Sequence, residues 1–331
     1  MRRIRAKLGT VVVVPALAGC CLVAFGFEAT AGRVTAATQT AADDEGREGG
    51  GMRGEVEDRF VAVNGVRLHY REWGTAGAPP VVILHGLTGH AWEFDGVAAA
   101  LAAGGHHVVA VNQRGHGASA WADDYSPGIM ADDAAALIEA LELRGVTLIG
   151  HSMGGVNGWW LAARHPELVE RFVILDIDPE AITSETLYEG WTTALNAYAQ
   201  ARFADAEAAV AAYLEGHTGA QREALRTFAL NNIEEGSDGQ WAWRFDARRL
   251  SSWLRHALDA GDAHWARLRQ LACPTLIVRA VNSPYTTAPA AERMAGTIPD
   301  ARLVEMPDSG HDVHIDQLDA LLAELRSFLG T

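Results

Sequence analysis

Residues Val146 to Gly155 read Val-Thr-Leu-Ile-Gly-His-Ser-Met-Gly-Gly, so a short apolar run of strand type enters Gly150-x-Ser152-x-Gly154. A helix-compatible stretch from Val156 to His165 follows. This is the context of a nucleophile elbow: the strand-to-helix turn is so tight that only small residues fit two positions before and two after the serine. Such a turn holds the hydroxyl of Ser152 above the carboxyl edge of a sheet. A serine hydroxyl attacks a carbonyl only when a base takes its proton and donors stabilise the oxyanion that forms.

Each of those needs has a candidate. The base is assigned to His311 in Met306-Pro-Asp-Ser-Gly-His-Asp-Val-His, immediately after the last strand-like run, with His314 as the substitute on the next turn. Thirteen histidines are present, and position is what separates His311 from the rest. The oxyanion donors are expected to be the backbone N–H of Met153, which follows the nucleophile, and that of Leu87 in the loop His85-Gly86-Leu87-Thr88-Gly89. His85 is read as support for the turn rather than as a second base. Asp308, His311, Asp312, His314 and Asp316 crowd together in sequence. Their spacing does not suit a zinc site, which needs three or four converging ligands, and no metal is expected.

The elements that must position these residues are readable from periodicity. Phe60–Val63 and Val66–Tyr70 flank Asn64-Gly65, a dipeptide suited to the positive φ angles of a type I′ hairpin. Val81–Leu84, His107–Val111, Val146–Ile149, Phe172–Leu175, Thr275–Arg279 and Ala301–Met306 are short apolar runs, most of them separated by helical patterns. Near-continuous apolar strands alternating with helices imply an α/β fold with a mostly parallel sheet covered on both faces. Met130, Ala134, Leu137, Ile138 and Leu141 mark the helix before the elbow, and Leu318, Leu321, Leu322, Leu325 and Leu329 mark a closing one.

The interval between Leu175 and Thr275 breaks the alternation and far exceeds a usual connection of roughly 2 to 6 residues. It is expected to form a helical cap over residues 180–268, inserted between core segments 58–179 and 269–331. Its aromatics, Trp191, Tyr198, Tyr213, Trp241, Trp243, Phe245, Trp253 and Trp265, hold the cap to the core, and some of them line an apolar pocket.

The chain has 331 residues, 49% of them hydrophobic, enough for one large core plus an insertion. A net charge of −15 argues against nucleic acid, whose phosphates demand basic patches. Arg2, Arg3, Arg5 and Lys7 precede an apolar stretch from Val11 to Phe27 and a small-x-small site at Ala29-Thr30-Ala31. Residues 1–31 therefore read as a secretory signal peptide, with lipoprotein processing at Cys20 or an uncleaved anchor as alternatives. All three place the folded part outside the cytoplasm, as a secreted, periplasmic or cell-surface protein with membrane attachment only through the N-terminal segment. After cleavage Cys273 alone remains of three cysteines, so no internal disulfide is possible. Residues 32–57, rich in small and charged residues, read as a disordered linker.

The strings His85-Gly86-Leu87, Arg114-Gly115-His116-Gly117-Ala118-Ser119, Gly150-His151-Ser152-Met153-Gly154-Gly155, Pro274-Thr275-Leu276-Ile277-Val278-Arg279 and Gly310-His311 together resemble the α/β-hydrolase superfamily, in its cap-bearing, esterase- or lipase-like branch. The resemblance spans residues 60–330 and implies a cofactor-free Ser-His-acid triad. There is one departure. The family's usual acid is an aspartate after the Thr275–Arg279 strand, yet here that loop reads Ala280-Val281-Asn282-Ser283-Pro284. Asn282 can orient a histidine but cannot neutralise an imidazolium. Some relatives carry the acid after the strand that follows the nucleophile helix, where this chain has Ile174-Leu175-Asp176-Ile177-Asp178-Pro179. Asp176 is the expected acid, with Asp178 and Asn282 as alternatives.

The expected activity is hydrolysis of a carboxylic ester or lactone, with a small to medium, partly apolar substrate. Related dehalogenase and epoxide hydrolase chemistry needs an aspartate nucleophile, which Ser152 rules against. C–C bond hydrolysis, a cofactor-free oxygenase or lyase, and a ligand-binding module with vestigial catalysis remain as alternatives.

Overall fold

The computed structural model describes residues 56–215 and 222–330. The export segment, with Cys20 and its small-residue cleavage site, and nearly all of the 32–57 linker lie outside the described residues. Strand β1 (Glu57–Val63) begins one residue inside the stretch expected to be linker. It turns through Asn64 (φ 46°) and Gly65 (φ 77°) into β2 (Val66–Trp73), with Val63 paired to Val66, as the Asn-Gly dipeptide implies.

The core is an eight-stranded sheet in the order β1-β2-β4-β3-β5-β6-β9-β10. Its further strands are β3 (Pro80–Leu84), β4 (His107–Asn112), β5 (Val146–His151), β6 (Val169–Leu175), β9 (Thr275–Ala280) and β10 (Ala301–Met306). The β1–β2 and β2–β4 pairs are antiparallel and the remaining pairs of this sheet are parallel. All six residues of β4 and of β5 are buried, because helices cover both faces of the parallel strands.

Helices α1 (Asp95–Ala103) and α12 (Leu318–Leu329) pack together on one face, where Leu101, Leu321 and Leu325 join a cluster with Val81, Ile149 and Val278. On the other face, α2 (Pro127–Ala140) and α3 (Met153–Arg164) share a cluster with Val82, Leu148 and Ile174. The alternation of strand residues between the two clusters is the period-2 pleat of the sheet. A last helix of the core, α10 (Ala288–Thr297), lies against β9 and β10.

Between β6 and β9 the chain forms α4 (Pro179–Ile182), α5 (Glu185–Gln200), α6 (Ala206–Leu214), α7 (Arg222–Asn231), α8 (Ala247–Ala260) and α9 (Ala263–Leu268). The sequence led to an expectation of helices throughout this segment, but an antiparallel pair, β7 (Ile233–Glu235) and β8 (Trp241–Trp243), interrupts them. Phe203 N–H bonds the Trp241 carbonyl at 2.9 Å, extending that small sheet. Trp243 packs edge-on against Tyr198 and Phe203, so the alternating Trp-Ala-Trp buries one indole in an aromatic cluster. Side-chain caps start the helices here: Ser184 accepts from Leu187 N–H, Asp205 from Ala208 N–H and Asp246 from Arg249 N–H.

Candidate active site

Ser152 stands between β5 and α3 with φ 49° and ψ −116°, a backbone conformation that costs on the order of 1–3 kcal/mol outside a fixed frame. Its N–H is held by the Leu175 carbonyl at 3.0 Å. The flanking glycines are required by space. A Cβ on Gly150 would lie 2.4 Å from the Gly154 carbonyl oxygen, and one on Gly154 would lie 2.1 Å from the Leu84 carbonyl oxygen. The sharp turn leaves Met153 at the first position of α3, where a backbone N–H has no partner within the helix.

At the end of the neighbouring strand β6, Asp176 has the same unusual φ of 49° and is fully buried. Its Oδ1 accepts from the Ala280 N–H at 3.0 Å, and its Oδ2 lies 2.8 Å from Nδ1 of His311. The carboxylate is thus anchored to β9 on one side and bonded to the imidazole on the other. With Nδ1 so engaged, Nε2 is the nitrogen left for proton transfer. Tyr285 and His151 hold the His311 ring, with centroids 4.2 and 4.5 Å away.

The other two acid candidates are placed differently. Asp178 is also buried, but it serves as the N-cap of α4: Oδ1 accepts from Ala181 N–H at 2.7 Å and Oδ2 from Thr287 N–H at 3.2 Å. Burial pushes its carboxyl up to about 6. Asn282 is exposed, and its backbone N–H bonds the Ser309 carbonyl at 3.0 Å.

The loop after β3 closes the site. Leu87 lines the cavity beside Ser152, and its carbonyl, turned away, lies 2.8 Å from Nε2 of His116. His85 has both ring nitrogens occupied: Nδ1 lies 2.8 Å from the Gly86 carbonyl, and Nε2 accepts from Gln113 N–H at 3.0 Å. Burial and the neighbouring His116 hold His85 well below the usual histidine range, so it fits a fixed, neutral support for the loop. Gln113 continues the support. Its side chain bonds the His85 carbonyl and accepts from Asn157, which in turn accepts from the indole N–H of Trp253 at 3.0 Å. That chain of bonds ties α8, whose Trp253 lines the cavity, to α3 and to the loop after β3.

The cavity has two lobes that share Ser152, Leu87 and Trp191. One, of about 440 Å³ including its mouth, is apolar, with walls from Ile177, Ile182, Leu187, Tyr188, Trp253 and Tyr285. The other, of about 490 Å³, is more polar and is bounded by Thr88, Glu93, His151, His311 and Asp312 together with Tyr198, Tyr213 and Phe228. Of the aromatics expected in the cap, Trp191, Tyr198, Tyr213 and Trp253 line these lobes, whereas Trp243, Phe245 and Trp265 are buried in the hydrophobic core.

Glu93, from the turn at Ala91–Phe94, is not legible in the sequence, because nothing in its local pattern marks a carboxylate that lines a cavity with Ser152. It is buried next to His151 and His314. Burial, and then Asp312, push its carboxyl well above the usual range, while burial and the nearby His311 hold His151 well below its own.

A sequence model of the α/β-hydrolase fold matches residues 79–318. The chain belongs to the α/β-hydrolase family. Among similar proteins, an sn-1-specific diacylglycerol lipase of Xenopus tropicalis is 29% identical over 279 residues, covering 83% of this chain and 86% of the lipase. An esterase of Mycobacterium tuberculosis is 29% identical over 294 residues, covering 87% of this chain and 94% of the esterase. The solved structure of E-2-(acetamidomethylene)succinate hydrolase superposes with a TM-score of 0.74 at 26% identity, over 84% of this chain and all of that one. The relatives named as esterases and lipases support ester hydrolysis by this α/β-hydrolase.

Proposed function

We propose that this α/β-hydrolase is a serine esterase that cleaves carboxylic esters through an acyl-enzyme on Ser152. Oγ of Ser152 attacks the carbonyl carbon while Nε2 of His311 takes its proton. Asp176 orients the imidazole and stabilises the imidazolium, and the backbone N–H groups of Leu87 and Met153 receive the oxyanion. Collapse of the tetrahedral intermediate breaks the ester C–O bond, with His311 returning the proton to the leaving alcohol. Water then repeats the cycle: His311 takes its proton, the oxygen attacks the acyl carbon, and Ser152 leaves reprotonated.

The observation that carries this reading is the 2.8 Å contact between His311 and Asp176 at the rim of a cavity that both His311 and Ser152 line. The apolar lobe suits the acyl chain and the more polar lobe the alcohol portion, which argues for a small to medium, partly apolar ester or lactone. The N-terminal basic and apolar stretch supports an exported enzyme. A panel of acyl esters and lactones tests the assignment: the parent protein should release acid from at least one class, and Ser152→Ala should reduce the rate to near background. Turnover that survives Ser152→Ala would refute it.

A further inference from the structure

Three side chains beside the nucleophile have metal-ligand chemistry that the proposed hydrolysis does not use. Glu93, His151 and His314 each offer a donor atom, and these atoms lie within 4.8 Å of one another. Their side chains are only 4%, 4% and 1% exposed. Oε1 of Glu93, Nδ1 of His151 and both ring nitrogens of His314 are buried without a hydrogen-bond partner among the described residues. An unsatisfied buried polar atom typically costs about 1–3 kcal/mol, so several in one place mark a site built for something other than folding.

The tautomer of His151 sharpens the point. Its Nε2 lies 3.0 Å from the His311 carbonyl, to which it must donate, so Nδ1 carries the lone pair that faces the cluster. A ligand imidazole whose other nitrogen is fixed by a carbonyl is the usual outer arrangement of a metal-bound histidine. His314 is held in place by stacking on Phe94, with centroids 4.2 Å apart. Asp312, whose Oδ1 is 3.8 Å from Nε2 of His151, adds a carboxylate at the edge of the cluster.

We propose that Glu93, His151 and His314 form a binding site for one divalent transition-metal ion, and that the bound ion arrests ester hydrolysis. Two imidazoles and one carboxylate suit zinc, cobalt, nickel or copper; magnesium and calcium prefer all-oxygen shells. Three protein ligands leave a position open, and Glu93 and His151 already line the reaction cavity.

The cause of arrest is mechanical. Metal–ligand bonds of about 2.0–2.2 Å must draw the three donors closer together than they now stand. Both cavity-side ligands stand close against the loop that carries Leu87, with no room for a side chain between: a Cβ on Gly86 would lie 3.1 Å from Nδ1 of His151, and one on Gly89 would lie 2.7 Å from Oε1 of Glu93. His151 also directly precedes Ser152. Contraction therefore shifts the oxyanion loop against the nucleophile, and a misplacement of about 1 Å can cost on the order of a hundredfold in rate.

The test uses the untagged full chain titrated with Co2+, followed by visible absorption and equilibrium dialysis, with the rate of ester hydrolysis measured alongside. One Co2+ should bind per chain, displaced by Zn2+, with loss of activity that a chelator restores. Glu93→Gln and His314→Gln should each weaken binding at least about tenfold to a hundredfold and relieve inhibition in parallel. Ser152→Ala should bind Co2+ as the parent does, which separates this site from the proposed ester chemistry. Should either ligand variant fail to fold, the imidazole signals of His151 and His314 in the Ser152→Ala chain must shift or broaden with Co2+. Absence of a stoichiometric Co2+ complex, unshifted signals, or variants that bind and are inhibited like the parent through exposed groups such as His256 would each overturn the proposal.

Discussion

Nδ1 of His311 lies 2.8 Å from Oδ2 of Asp176, although 135 residues separate them in sequence. Asp176 reaches this position because β6 pairs with β9, whose Ala280 N–H holds the second carboxylate oxygen. Three substitutions separate the acid candidates. Asp176→Asn should lower kcat by about ten-thousandfold, the scale for a triad whose histidine loses its charged partner. Asn282→Ala should hydrolyse at nearly the parent rate. Asp178→Ala should instead lower the thermal midpoint, through loss of a helix cap worth about 1–2 kcal/mol. An unaffected Asp176→Asn beside an inactive Asn282→Ala would reverse the assignment.

The elbow makes a prediction about space. In Gly154→Ala the new methyl would fall 2.1 Å from the Leu84 carbonyl oxygen, which belongs to a central strand and cannot move away. Its urea midpoint should fall by the equivalent of at least about 1–3 kcal/mol. Gly296→Ala, in the last turn of α10 with nothing within 4 Å, should be neutral or stabilising by up to about 1 kcal/mol. Equal effects at the two positions would contradict this packing.

Trp191 borders both lobes of the cavity. Trp191→Ala should enlarge the apolar lobe and raise kcat/KM for long-chain acyl esters over acetates by about tenfold, within the range a hydrophobic pocket can discriminate. A series of p-nitrophenyl esters reads this directly. An unchanged chain-length profile would mean that the acyl chain lies elsewhere.

A buried histidine gives a pH prediction outside the site. His264 accepts from the indole N–H of Trp159 at 3.1 Å and has its other nitrogen 2.7 Å from the Ala257 carbonyl. Burial lowers it from 6.5 to about 4. The unfolded chain therefore takes up a proton that the folded chain refuses, so stability is full above about 6.5 and is lost as pH falls towards 4. By pH 5 the loss from this one group is about 2 kcal/mol. In His264→Gln the difference in unfolding free energy between pH 7.5 and pH 5 should shrink by about that amount. No change in that difference would show that His264 protonates freely in the folded state.

What the sequence reveals of this molecule follows the reach of local physics. The elbow is legible because steric demand and strand-to-helix periodicity coincide within Val146–Gly155, and the hairpin at Asn64-Gly65 is legible from two positive φ angles. Asp176, Asp178 and Asn282 are not separable by spacing. They differ in what their side chains meet after β6 and β9 have paired, and that depends on long-range register. The short β7–β8 pair is hidden because three-residue strands leave no periodic signal within a helix-favouring stretch. Glu93 and His314 are likewise invisible as neighbours: they sit on opposite sides of the chain's longest excursion and meet only where the Ala91–Phe94 turn packs on α11 (Val313–Asp316).

If Ser152 is the reacting nucleophile, a fluorophosphonate added to the folded protein must form its adduct there, as peptide mass spectrometry would map. Labelling should be stoichiometric on Ser152, abolished in Ser152→Ala and strongly slowed in Asp176→Asn. A folded protein that remains unlabelled, or that carries the label on another residue, would contradict that role.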